Sequence, residues 1–90
     1  MEIQIKMVSA AADVFNFKKM NPNAIHEEVF QHVSNNIEKH NINQKIKLAM
    51  IAAAGRAFEL SDIHKDLTEK ELLKKFVDEI PMILERINEE

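Results

Sequence analysis

Residues 44–64 read QKIKLAMIAAAGRAFELSDIH, and this stretch decides how the rest of the chain is interpreted. Its apolar residues recur at the three- and four-residue spacing of an α-helix and cover more than one side of it. A helix that is apolar on several sides has to be surrounded by other helices. We therefore predict that Gln44 to His64 forms the central helix of the fold.

One side of this predicted helix carries small side chains. Ala49, Ala53 and Ala57 are spaced by four and share a face, with Gly55 close by. Small side chains let another helix approach closely. A glycine inside a helix costs about 1 kcal/mol relative to alanine, which indicates close packing or a small irregularity at Gly55.

The amino-terminal residues fit two patterns. Ile3, Ile5 and Met7 alternate with polar residues as in a strand, but Ile3 and Met7 also begin a series with helical spacing that reaches Phe17. A single strand would need a partner strand from another subunit, so we favour a helix. It should end near Asn21, because a proline follows there and disfavours helical geometry at the residue before it.

A second, one-sided helix is predicted from Pro22 to about His40, since proline suits the first turn of a helix. A short connection follows, in which Asn41 or Asn43 caps the central helix. Thr68 and Glu71 match the capping box that begins a last helix, and Pro81 should kink or break that helix near Ile80. The expected fold is all-α: a compact bundle of four helices, or five if Pro81 breaks the last, in a single domain 1–90.

Composition sets limits on stability and location. A chain of 90 residues builds only a small core, and without cysteine it has neither disulfides nor thiolate metal sites to reinforce it. These facts favour oligomerisation. The net charge of −3 with mixed signs gives no basic block for a polyanion. Charged residues within the first 17 positions, and a longest apolar run of only seven residues, lead us to expect a cytoplasmic protein without a membrane span.

The residues with reactive side chains do not form a recognisable catalytic or metal-binding pattern. Glu28 and His32 are one helical turn apart, but two ligands do not make a metal site, and the other histidines (His26, His40 and His64) add no metal-binding motif. The chain has two serines, one threonine and no cysteine, and none of them is paired with a base. We expect no cofactor, no metal and no enzymatic activity.

Residues 67–76, LTEKELLKKF, resemble the first helix of a helix-turn-helix DNA-binding motif in their threonine cap and their spacing of leucine, lysine and phenylalanine. The motif requires a turn and a polar recognition helix next. Residues 77–86, VDEIPMILER, are instead apolar and acidic. Regulatory DNA binding is therefore the second hypothesis.

The first hypothesis is a small, non-catalytic protein-interaction module whose partner is a second copy of itself or another protein. The excess of apolar residues in a short chain without cross-links supports this hypothesis. The predicted interface is the alanine-bearing side of the central helix, formed by Ile46, Ala49, Met50, Ala53, Ala57 and Leu60.

Overall fold

A computed structural model describes residues 2–39 and 43–89 of the chain, which form four α-helices and, in these ranges, no strand. The helices are α1 (Glu2–Met20), α2 (His26–Lys39), α3 (Gln44–Ile63) and α4 (Glu69–Glu89). The prediction of an all-α bundle is confirmed, and the amino-terminal segment is helical rather than extended from Glu2 onward. None of the described helices is long and apolar enough to cross a lipid bilayer.

Successive helices run in opposite directions. Asp13 and then Phe17 of α1 contact Asn36 and then His32 of α2. Gly55 and Phe58 of α3 lie beside Phe30 and His26 of α2 in the same reversed order. Helix α4 follows α3 after a turn of five residues, 64–68, and its Glu79 contacts Arg56 of α3. Helices α1 and α3 are therefore parallel to each other, and α3 contacts all three other helices, as predicted for the central helix. Helices α2 and α4 do not touch within the described residues.

The core contains buried alanines from both α1 and α3. Ala10 and Ala11 of α1 and Ala49, Ala53 and Ala57 of α3 are all buried, and α1 and α3 share the most extensive contact of any two helices. Short side chains let two backbones lie close together over a long stretch. Larger residues, including Met7, Val14 and Phe76, close the core around this contact.

The start of α2 differs from the prediction. Pro22 does not open the helix but lies in a turn closed by a 2.9 Å hydrogen bond from Ala24 N–H to the carbonyl of Asn21. Proline is favoured at the second position of such a turn because its φ is already fixed there. Helix α2 begins four residues later, at His26, where Glu28 accepts a hydrogen bond from the backbone N–H of Ile25.

The predicted caps of α3 and α4 are confirmed where the structure describes them. Asn43 accepts a hydrogen bond from Ile46 N–H, whereas Asn41 and His40 lie outside the described residues. Thr68 and Glu71 accept hydrogen bonds from each other's backbone N–H groups. Two hydrogen bonds lower the pKa of Glu71. The larger effect comes from the backbone N–H of Thr68, and the smaller one comes from the Thr68 side chain.

Helix α4 continues through Pro81 as one helix of 21 residues, so the break near Ile80 does not occur and the described part of the chain contains four helices. Proline removes one N–H donor and leaves the carbonyl of Val77 without its usual partner. Both Pro81 and Val77 are exposed, so water can hydrate that carbonyl and the helix can continue.

Candidate functional site

The predicted interface residues all contribute to the core of a single chain. Ala49, Ala53 and Ala57 have no exposed surface, and Leu60 and Met50 are 2% and 8% exposed. Ile46 is half-buried and packs against the same core. A second copy could reach these alanines only if the helices packed around α3 moved apart. An interface in the folded chain must therefore be sought among other residues.

Large apolar side chains are instead exposed on both sides of the carboxyl-terminal half of α4. Five such side chains, on α4 or beside it, are at least one-third exposed: Ile5, Leu48, Ile51, Val77 and Met82. Three further exposed apolar residues, Met20, Ile25 and Ile63, lie at helix ends or beside them. The five around α4 line two open grooves, one on each side of that helix.

The first groove, called the α1–α4 groove, lies between the start of α1 and the second half of α4. Its walls are almost entirely apolar, and Glu85 is its one charged lining residue among those described. The lining residues are Gln4, Ile5, Val8, Val77, Ile80, Pro81, Leu84 and Glu85.

The second groove, called the α3–α4 groove, combines apolar walls with charges of both signs. Its lining residues are Leu48, Ile51, Ala52, Gly55, Arg56, Glu59, Glu79, Met82, Ile83, Arg86 and Ile87. Arg56 donates two hydrogen bonds to the Glu79 carboxylate, one of them 3.0 Å from Nη2 to Oε2, and it lies 3.5 Å from Glu59. The hydrogen bonds to Glu79 raise the pKa of Arg56.

A polar cluster joins α1 to α2. Asp13 accepts a 2.6 Å hydrogen bond from Asn36 Nδ2 and lies 3.1 Å from Nε2 of His32. The His32 ring also packs on Phe17, with 4.6 Å between ring centroids. The histidine therefore pairs with an aspartate 19 residues away, whereas Glu28, its neighbour one turn earlier, caps α2 instead.

We expect Asp13→Ala to lower the free energy of unfolding by about 1 kcal/mol, because it removes the acceptor shared by two side chains that remain partly hydrated. Urea denaturation followed by circular dichroism measures this difference. Asp66→Ala, in the turn before α4, is the matched control and should change stability much less. Equal losses in the two variants would show that the cluster contributes nothing specific.

Gly55 lies beneath an aromatic side chain of α2. A Cβ atom at this position would lie 3.4 Å from Cζ of Phe30, which is an ordinary van der Waals contact. The predicted close packing is present, although an alanine side chain would also fit at this position.

The His26 ring contacts the rings of both Phe30 and Phe58, and Lys18 Nζ lies 4.9 Å from the Phe58 ring centroid.

The histidines described by the structure are separated. His26 joins the aromatic contacts, His32 pairs with Asp13, and His64 ends α3. Within residues 2–39 and 43–89, no three histidine, aspartate or glutamate side chains are placed to hold a metal ion.

The ten residues that resemble a helix-turn-helix element cover the end of the α3–α4 turn and the first two turns of α4. Helix α4 then runs on to Glu89 without interruption, so the turn required after the first helix of that motif is absent from this part of the chain.

Comparison with models of protein families, with curated protein sequences and with solved structures finds no match to this chain.

Proposed function

We propose that this protein is a small, non-catalytic interaction module that self-associates through the surface around the second half of α4. The observation that carries the proposal is the cluster of exposed apolar residues there: Ile5, Leu48, Ile51, Val77 and Met82. Contiguous exposed apolar patches on small proteins commonly mark interaction sites.

The total surface area supports an association of ordinary size. The folded chain exposes 6058 Å², whereas a compact monomer of its mass, 10.4 kDa, is expected to expose about 5,400 Å². The excess is about 650 Å² per chain. If a symmetric pair of chains buried this excess on both sides, it would remove about 1,300 Å², within the range of specific protein interfaces.

The polar contacts of the described residues support a structural role for their side chains. The Asp13 cluster joins α1 to α2, the Arg56–Glu79 pair joins α3 to α4, and Glu28 and Glu71 cap helices. Each of these groups is engaged in holding the fold together. We propose no reaction for any of them.

We expect Met82→Glu to weaken self-association by about tenfold or more, because it places a carboxylate in an apolar contact that forms once on each copy. Size-exclusion chromatography with light scattering measures the shift. Met20→Glu is the matched control, since Met20 is also exposed, at 74%, but lies outside both grooves. The proposal fails if Met82→Glu associates as strongly as Met20→Glu.

A further inference from the structure

We infer that a second copy of the chain occupies the α3–α4 groove in an antiparallel arrangement, with Arg86 of each copy against Glu59 of the other. This inference rests on the proposed self-association and specifies its surface and register. The two grooves differ in the charged residues that line them, and this difference favours the α3–α4 groove. The α1–α4 groove is lined by a single charged residue, Glu85, among those described, so it offers no positive group to match a second copy of itself.

The α3–α4 groove carries opposite charges at its two ends. Arg86 lies seven residues beyond Glu79 along α4, which is about 10 Å at the helical rise. Glu59 lies three residues beyond Arg56 along α3, in the opposite direction because the two helices are antiparallel. Arg86 and Glu59 are therefore separated by about 15 Å along the groove.

A two-fold axis through the middle of a groove exchanges its ends. The Arg86 end of one copy then lies over the Glu59 end of the other, and the interface contains this pair twice. The contact is self-complementary because one groove supplies both signs of charge. The apolar lining residues of the groove, including Leu48, Ile51 and Ile83, supply the buried area of the contact.

Both charged groups are exposed and can reach such a pair. Arg86 is exposed, and among the side chains that the structure describes, which end at Ile87, no acidic group forms an ion pair with it. Glu59 touches Arg56 at 3.5 Å, yet 62% of its side chain remains exposed. The stronger partner of Arg56 is Glu79, so Glu59 can accept a second arginine without breaking the Arg56–Glu79 bond that joins α3 to α4.

The two-fold axis of this arrangement passes near Met82, which lies between the two charged ends on α4. Ala52 and Gly55 lie across the groove on α3 at a similar height and offer little bulk. The exposed Met82 side chain of each copy can therefore enter the groove of the other.

A charge-exchange experiment tests the pairing. Arg86→Glu and Glu59→Arg should each weaken self-association by more than about tenfold, because each places like charges opposite one another twice per dimer. An equimolar mixture of the two variants should associate again, since both contacts then join opposite charges. Lys39→Glu and Glu38→Lys, on α2, are the matched controls and should associate as the wild type does. Sedimentation velocity measures association, and circular dichroism checks folding.

The outcomes separate this inference from the proposed function. If the wild type does not self-associate, both fail. If it does, and both groove variants associate like the α2 controls, the groove assignment is wrong while self-association stands. If the single variants dissociate and remain folded but the mixture does not associate, the Arg86–Glu59 register is wrong.

A thiol cross-link tests the same geometry without charge changes. The chain contains no cysteine, so Met82→Cys carries a single thiol near the expected axis. Added oxidant should convert it to a covalent dimer much faster than it converts Met20→Cys. Equal rates for the two variants would contradict the arrangement.

Discussion

Replacing Phe76 with alanine is expected to lower the free energy of unfolding by about 3–5 kcal/mol. Phe76 has no exposed surface and is the largest fully buried side chain of the core. Truncation removes its transfer free energy and leaves a cavity that the helices around it can only partly fill. A small domain has about 5–15 kcal/mol of stability in total, so this single change should remove a large fraction of it.

The neighbouring residue provides the control. Val77 follows Phe76 on α4 but is 46% exposed, and Val77→Ala should change stability by much less than Phe76→Ala. Urea denaturation of dilute samples, in which self-association is weak, compares the two. Similar losses of stability in the two variants would mean that the side of α4 that carries Phe76 is not buried in the core.

The second large effect is expected from Ala53→Leu, which should destabilise the fold by about 1–3 kcal/mol or more through overpacking. Ala53 has no exposed surface and belongs to the core cluster, so a larger side chain there must displace its neighbours. Leucine has nearly the same helix propensity as alanine, so the change reports on packing. Thermal denaturation measures the loss.

Ala12→Leu controls for the substitution itself, because Ala12 lies within α1 but is only half-buried. It should cost little. If Ala53→Leu left the fold as stable as Ala12→Leu and instead abolished self-association, the alanine face would lie between subunits, as the sequence first suggested.

Local signals in the sequence predicted most of the secondary structure. The Thr68–Glu71 capping box and the Asn43 cap each involve residues three apart, so the chain itself contains all the information needed to place them. The prediction that Pro22 opens α2 was wrong, because proline suits the second position of a β-turn as well as the first turn of a helix. The flanking hydrogen bond from Ala24 to Asn21 decided for the turn.

The candidate surface was harder to predict, because periodicity shows that a face is apolar without showing what covers it. The alanines of α3 are buried in the core, where the most extensive helix contact is with α1, a helix that ends more than 20 residues before α3 begins. Leu48 and Ile51 lie on other sides of the same helix and stay exposed. The Arg56–Glu79 and Asp13–Asn36 pairs each join residues 23 positions apart, and only the packing of the helices brings them together.

Sedimentation equilibrium of the unmodified chain over a wide concentration range tests the central claim most directly. We predict that the weight-average mass rises with concentration from the single-chain value of 10.4 kDa towards twice that value. A mass of 10.4 kDa at every concentration would contradict self-association.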